Sequence, residues 1–157
     1  MGSEAQNYDV IIVGGAVIGS SIAWHLTGRD DFKGRVLVIE KDPNYEFCST
    51  ALSAASIRQQ FSTPINIEMS AYGIDFLRNL KRDLDPDVDI SLHEKGYLVL
   101  ATDDGRDILR HNHATQTEFG GDIVWMEPDE LAAKYPWMTT SDLAAGCWGR
   151  TGEGWFD

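Results

Sequence analysis

The sequence predicts an α/β fold, in which a βαβ unit is followed by a segment of alternating short strands and helices. Two unbroken apolar runs, Val10–Val13 and Val36–Ile39, flank a helical pattern within about 35 residues. A glycine-rich turn directly follows the first run. Further along the chain, proline and glycine separate shorter periodic segments. The length of 157 residues suits one domain, or one domain and part of another.

The βαβ unit is the best-defined part of the pattern. We predict its first strand over Tyr8–Val13, because an apolar run without alternation is typical of a parallel strand that is buried on both faces. A helix is predicted over Ser20–Thr27, ending at Gly28. The second strand is predicted over Arg35–Glu40. The crossover between two parallel strands is expected to be right-handed.

The next region changes character twice. Residues 42–62 are irregular and rich in small polar side chains. A long amphipathic helix is then predicted from Pro64 to about Asp83, with one apolar stripe formed by Met69, Tyr72, Phe76, Leu80 and Leu84.

The rest of the chain predicts a mixture of short elements. They are strands over Asp89–His93 and Tyr97–Ala101, a helix over Asp103–Phe119, a strand over Ile123–Met126, a short helix between Pro128 and Pro136, and a strand over Leu143–Trp148.

Composition excludes several classes of protein. The chain has 13 Lys and Arg residues and 25 Asp and Glu residues, so its net charge is -12. This negative charge disfavours binding to nucleic acid or to an anionic membrane. No apolar run approaches the ~20 residues of a membrane span. The polar start shows no signal peptide. Cys48 and Cys147 fit neither a disulfide framework nor a metal site, which favours a reducing, cytoplasmic location.

The glycine-rich turn matches most of a dinucleotide-binding motif. Between the strand and the helix, the pattern G-x-G-x-x-G is met by Gly14, Gly15, Ala16, Val17, Ile18 and Gly19, with Ala16 in place of the middle glycine. The first glycine permits a tight turn and the last permits close packing of helix and strand. The N-terminus of the helix can bind a pyrophosphate.

An acidic residue stands where the same motif requires one. Glu40 lies 21 residues beyond Gly19, at the end of the second predicted strand, where its carboxylate can bind the adenosine ribose. It would also repel a 2′-phosphate, and the adjacent Lys41 does not reverse that preference. The βαβ unit alone does not distinguish NAD from FAD.

Beyond these motifs, the sequence resembles the FAD-dependent amino-acid oxidoreductases, which include D-amino-acid oxidase, glycine oxidase, monomeric sarcosine oxidase and dimethylglycine dehydrogenase. The resemblance runs through residues 8–40, 49–62, 95–100, 127–136 and 152–154, and it is closest to FAD-dependent oxidoreductase domain-containing proteins. Family members are more than twice as long, so the chain resembles their N-terminal portion.

The resemblance implies roles for individual residues. FAD would be bound non-covalently, since residues 49–56 contain no histidine to carry it. Ser49 and Thr50 would lie near the pyrophosphate and ribityl chain, and Ser53 near the flavin ring. Arg58 matches the arginine that pairs with the substrate carboxylate in sarcosine oxidase-like members, a role suited to a bidentate guanidinium.

The resemblance also implies a domain organisation and an activity. Residues 1–85 would form the FAD-binding segment, and 86–157 would begin a mixed-sheet substrate domain. The full-length protein would oxidise the C–N bond of an amino acid or N-methyl amino acid by hydride transfer to flavin, whereas this portion alone would be inactive. Its partners would be the small-molecule substrate and an electron acceptor or oxidase subunit.

Two alternatives remain open. One is the NAD-binding domain of a dehydrogenase, and the other is a non-enzymatic flavoprotein that serves as a subunit or an assembly factor.

Overall fold

The structure is a computed structural model that describes residues 7–156, so the polar start lies outside the described residues. The chain forms two compact units, Met1–Ala54 and Ala55–Asp157. These units differ from the domain boundary expected near residue 85. That boundary concerns the domains of a longer protein, and it stays a prediction.

The first unit contains the predicted βαβ arrangement. Strand β1 (Val10–Val13) pairs in parallel with β2 (Val36–Ile39), from Val10 opposite Val36 to Val13 opposite Ile39. Helix α1 (Val17–Thr27) connects them and begins three residues before the predicted start at Ser20. The glycine motif therefore runs into the first turn of the helix, and the predicted α/β class is confirmed.

The apolar faces of this unit are largely uncovered within the described residues. Val13 is 85% exposed and Ile11 is 58% exposed, although parallel strands normally carry cover on both faces. On α1, Ile18 is 74% exposed. Such apolar surface is typical of a sheet to which further elements add.

The second unit is built around an antiparallel sheet in the strand order β4-β6-β5. Its strands are β4 (Leu98–Ala101), β5 (Ile123–Met126) and β6 (Ala145–Gly149). A second antiparallel pair joins β3 (Ser56–Ile57) to β7 (Gly154–Trp155). The helices are α2 (Pro64–Arg78), α3 (Leu80–Asp83), α4 (Arg106–Glu118), preceded by a 3₁₀ turn at Asp103–Gly105, and α5 (Pro128–Lys134).

The core of this unit lies between the sheet and α4. Strands and helix contribute the buried residues Ala101, Leu109, Ile123, Ala145 and Cys147, with Trp125 packed at the margin. Burial raises the pKa of the Cys147 thiol to about 11, so the thiol stays protonated and unreactive at neutral pH. Helix α5 adds Leu131, which is fully buried.

The long helix predicted from Pro64 to Asp83 is interrupted at Asn79. The Asn79 side-chain amide donates a hydrogen bond of 2.7 Å to the carbonyl oxygen of Asp75. Such a bond competes with the helical backbone pattern, so α2 and α3 are separate. The predicted apolar stripe is also wrong in part, because Met69, Tyr72 and Leu84 are exposed whereas Ile67 and Ile74 are buried. The helix is apolar on two faces, and its periodicity did not indicate which one packs.

The strand predicted over Asp89–His93 does not form. The Asp89 carboxylate accepts a hydrogen bond of 2.9 Å from the Ser91 N–H, and Ser91 has a φ of 45°, so this run turns. Only His93 pairs, in an isolated bridge to Trp155. Strands β3 and β7 were not predicted, because strands of two residues are too short to show an alternating apolar and polar pattern.

Candidate functional site

The glycine-rich turn joins the ends of both strands of the first unit. The Gly14 N–H donates a hydrogen bond of 2.8 Å to the carbonyl oxygen of Ile39, and Gly14 has a φ of +100°. A residue with a side chain would be strained at that φ. The turn therefore lies at the carboxyl end of the sheet, where ligands of open α/β folds bind.

Helix α1 approaches the turn so closely that Gly19 has no room for a side chain. A Cβ atom at Gly19 would lie 1.8 Å from the carbonyl oxygen of Gly14. Ala16, where the motif departs from glycine, is the residue that precedes α1 and has an extended conformation. Ala16 lines the adjacent cavity, so a ligand there meets a methyl group in addition to the backbone.

Glu40 ties the glycine turn to the segment after β2. One carboxylate oxygen accepts a hydrogen bond of 2.7 Å from the Gly15 N–H, and the other accepts one of 2.9 Å from the Asp42 N–H. The Asp42 N–H, then the Gly15 N–H, lower the pKa of Glu40, and Lys41 adds a smaller attraction. Each ionised oxygen keeps a second lone pair, so the carboxylate can accept further hydrogen bonds from a ligand's hydroxyls.

A cavity of about 390 Å³ opens beside the N-terminus of α1. Residues from the turn, the helix and the following loop line it: Gly15, Ala16, Val17, Ser20, Tyr45, Cys48, Thr50 and Ala51. The first turn of a helix presents N–H groups without helical partners, together with the positive end of the helix dipole. This arrangement suits a phosphate or pyrophosphate.

The three predicted hydroxyl residues differ in where they lie. Thr50 lines the cavity, and its hydroxyl oxygen accepts a hydrogen bond of 3.3 Å from the Val17 N–H. Ser53 instead donates a hydrogen bond of 2.9 Å to the carbonyl oxygen of Thr50. Ser49 is exposed. Of the three, Thr50 is the one that the structure brings to the glycine motif.

Four cavity residues were not predicted from the sequence, namely Ser20, Tyr45, Cys48 and Ala51. The Ser20 hydroxyl donates to the carbonyl oxygen of Gly15, and the Tyr45 hydroxyl lies 3.0 Å from the place of a Cβ atom on Gly15. Ser20 was visible as the next residue after the motif. Tyr45 carried no signal, because it lies in an irregular loop.

Arg58 belongs to the second unit and is exposed. Its guanidinium carbon lies 4.9 Å from the centre of the Phe61 ring. It borders a cavity of about 560 Å³ that Ser56, Ile57, Phe61, Asn66, Met69 and Ser70 also line. Within residues 7–156, ion pairs engage Arg29, Arg78, Arg82, Arg106 and Arg150, but none engages Arg58.

The described part of the chain holds neither a metal-ligating cluster nor a helix that could span a membrane. Residues 7–156 contain no group of three or more His, Cys, Asp or Glu side chains that could hold a metal ion. Over the same residues, no helix combines the length and apolar character required to cross a membrane.

Comparison with known proteins gives consistent matches over nearly the whole chain. A family model described as FAD dependent oxidoreductase (DAO) matches residues 9–157. The chain is 44% identical, over 158 residues, to FAD-dependent oxidoreductase domain-containing protein 1 of Xenopus laevis, covering 97% of this chain and 32% of the relative. The chain thus spans about a third of the length of the curated relatives that it matches.

Solved structures agree with this result. L-proline dehydrogenase from P. horikoshii superposes with a TM-score of 0.75 at 26% identity, covering 98% of this chain and 39% of that one. Glycine oxidase from Geobacillus kaustophilus gives a TM-score of 0.70 at 27% identity, with coverages of 97% and 41%.

Proposed function

Because this chain belongs to the DAO family of FAD-dependent oxidoreductases, we propose that it supplies the FAD-binding portion of a longer enzyme that oxidises the C–N bond of an amino acid or N-methyl amino acid. FAD is the cofactor of this family, which disfavours an NAD-dependent dehydrogenase. When bound, FAD would supply a hydride acceptor for the carbon beside the nitrogen, and the imine left on the substrate would be hydrolysed by water. The electrons would then pass to oxygen or to another acceptor.

The cavity at the N-terminus of α1 is the observation that supports this cofactor. Its helix N-terminus, the Thr50 hydroxyl and the ionised Glu40 form a donor and acceptor set that suits a dinucleotide. We propose that the first turn of α1 and Thr50 hold the pyrophosphate, while Glu40 holds the adenosine ribose. Ser49 and Ser53 are proposed to lie along the rest of the cofactor.

Glu40→Ala should raise the Kd of full-length apoprotein for FAD by about 10- to 100-fold, because charge-assisted hydrogen bonds to the ribose are lost. Titration of apoprotein with FAD, followed by flavin fluorescence, measures the Kd. Asp42→Ala is the matched control, since it removes a neighbouring carboxylate whose oxygen binds the Asn44 N–H within the loop. Equal affinities for Glu40→Ala and Asp42→Ala would contradict the ribose assignment.

Arg58 supports the substrate class. A phenyl ring has no lone pair to offer, so contact with Phe61 leaves the guanidinium without an anion to bind. The adjoining cavity is lined by apolar and small polar side chains. We propose that Arg58 binds the substrate carboxylate and thereby orients the C–H bond for transfer.

The activity should require more than residues 1–157. We expect the full-length protein to oxidise members of a panel of D-amino acids, glycine, proline and N-methyl amino acids. A chain that ends at Asp157 should show no turnover above free flavin, and its exposed apolar strands should favour self-association. Steady-state assays and size-exclusion chromatography measure both properties. Turnover by the 157-residue chain would contradict its proposed dependence on the rest of the protein.

The same panel tests the non-enzymatic alternative. A full-length protein that binds FAD but oxidises no amine would be a flavoprotein subunit or assembly factor instead.

We also propose a location and an electron acceptor for the full-length protein. Cys48 and Cys147 are both free thiols, which supports a reducing, cytoplasmic location, and the electrons would leave to oxygen or to a partner subunit.

A further inference from the structure

One carboxylate of the second unit is completely buried. Glu153 has no exposed surface, although it directly precedes β7 in the chain. No Lys or Arg of residues 7–156 lies within ion-pair distance of it. Burying a carboxylate without a cation is unfavourable unless hydrogen bonds replace its hydration. The neighbours of Glu153 therefore indicate what it does.

Within residues 7–156, every hydrogen-bond partner of the Glu153 side chain is an N–H donor. One oxygen accepts hydrogen bonds from the backbone N–H groups of Gln59 and Gln60, at 2.7 and 3.0 Å. The other accepts them from the Gln60 side-chain amide at 2.9 Å and from the Tyr97 N–H at 3.2 Å. A single side chain thus joins the segment after β3 to the segment before β4.

Glycines make the room for this carboxylate. A Cβ atom at Gly149 would lie 1.8 Å from the Glu153 oxygen that binds the Gln60 side-chain amide and the Tyr97 N–H. Gly152 has a φ of +73°, and a Cβ atom there would lie 2.5 Å from the amide nitrogen of Gln59. A side chain at Gly149 would displace the Glu153 carboxylate, and a residue other than glycine at position 152 would be strained at that φ.

The turn that carries Glu153 is itself held in place. Glu94 accepts a hydrogen bond of 2.8 Å from the Gly152 N–H and forms a two-bond ion pair with Arg78 at the end of α2. The carbonyl oxygen of Glu153 accepts a hydrogen bond of 3.0 Å from the Gly96 N–H. The turn that carries Glu153 is therefore anchored to α2 through Glu94 and Arg78.

Residues 59 and 60 directly follow Arg58, so Glu153 holds the backbone next to that arginine. On the other side, the Ser70 hydroxyl of α2 donates to the carbonyl oxygen of Arg58. We propose that Glu153 is a positioning residue for Arg58, which it holds in place to bind the substrate carboxylate. This inference rests on the proposed function of Arg58 and adds the buried residue on which that function depends.

The test compares two variants of the full-length holoenzyme. Glu153→Asp is one methylene too short to reach both segments, whereas Glu153→Gln keeps the length and one acceptor oxygen but places an NH2 group against two N–H donors. We expect Glu153→Asp to lower kcat/KM for a carboxylate-bearing substrate by about 10- to 100-fold, mainly through KM. Glu153→Gln should recover part of that loss, because its one oxygen still reaches one of the two pairs of N–H donors. An amine of the same structure without the carboxylate should change little, and FAD content should stay at the wild-type level.

Equal losses on both substrates would overturn the inference, because a general structural defect does not discriminate between them. If Glu153→Asp fails to fold or loses its flavin, the substrate selectivity of Glu153→Gln tests the inference. Its smaller loss should still be selective for the carboxylate-bearing substrate, and an unselective loss would overturn the inference.

The combined variant Arg58→Lys/Glu153→Asp separates this inference from the function on which it rests. If Glu153 acts through Arg58, the double variant should lose less than the product of the two single losses. A selective loss in Arg58→Lys, with independent effects in the double variant, would overturn the role of Glu153 alone. An unselective Arg58→Lys would overturn the proposed function as well.

Discussion

Gly19→Ala should leave the full-length protein without bound FAD. The added Cβ atom would lie 1.8 Å from the carbonyl oxygen of Gly14. Because the nearest atoms belong to the Gly14 backbone, no flexible side chain can move to relieve the clash. Helix α1 must therefore move away from β1, which takes its N-terminal N–H groups out of the cavity. The free energy of unfolding should also fall, by about 3 kcal/mol or more, since this contact is tighter than ordinary overpacking.

The matched control is the same substitution in another helix. Gly73 lies in α2, and the nearest atom to a Cβ there is Ile57 Cδ1 at 3.6 Å, an ordinary contact. Gly73→Ala should keep its flavin and gain up to about 1 kcal/mol from helix propensity. Flavin absorbance per protein and urea unfolding measure both effects. A Gly19→Ala protein with a full complement of FAD would refute the proposed fit between helix and cofactor.

Arg58→Lys should keep FAD but lose catalytic efficiency toward amino acids. A lysine retains the charge but not the planar pair of donors that grips a carboxylate. Losing one partner of a desolvated charge pair removes about 2–5 kcal/mol of transition-state stabilisation, with lysine at the lower end. That lower value corresponds to about 30-fold in kcat/KM.

Two controls make this result specific. An amine substrate without a carboxylate should be much less affected by Arg58→Lys. Arg110→Lys changes another exposed arginine that lies over an aromatic ring, here Trp125 at 4.6 Å, and should leave both substrates unchanged. If Arg58→Lys lowers activity equally on both substrates, or releases FAD, then Arg58 is structural or contacts the cofactor.

Local sequence patterns were sufficient to predict the βαβ unit. An apolar run without alternation, a glycine-rich turn and an acid after the second run all lie within about 35 residues. They act through contacts within one βαβ unit, such as Gly14 with Ile39 and Gly15 with Glu40, each 25 residues apart. The resulting geometry brings Gly15, Glu40 and Thr50 close to the start of one helix.

The parts that sequence did not reveal depend on distant contacts. Glu153 accepts hydrogen bonds from Gln59 and Gln60, which lie 94 and 93 residues away in the sequence, and no sequence periodicity predicts such contacts. The choice between the two apolar faces of α2 depends on what packs against Ile67 and Ile74. The Asp89–His93 run is a local exception, because it fails as a strand where the Asp89 carboxylate accepts a hydrogen bond from the Ser91 N–H two residues on.

We propose above all that a flavin held at the glycine-rich turn oxidises the carbon beside the nitrogen of an amino acid. Anaerobic mixing of the full-length flavoprotein with an amino-acid substrate, followed by absorbance, tests it most directly. The oxidised flavin bands should bleach in one turnover, and deuterium on the carbon beside the nitrogen should slow the bleaching. Flavin that stays oxidised with every amino acid and N-methyl amino acid of the panel would contradict it.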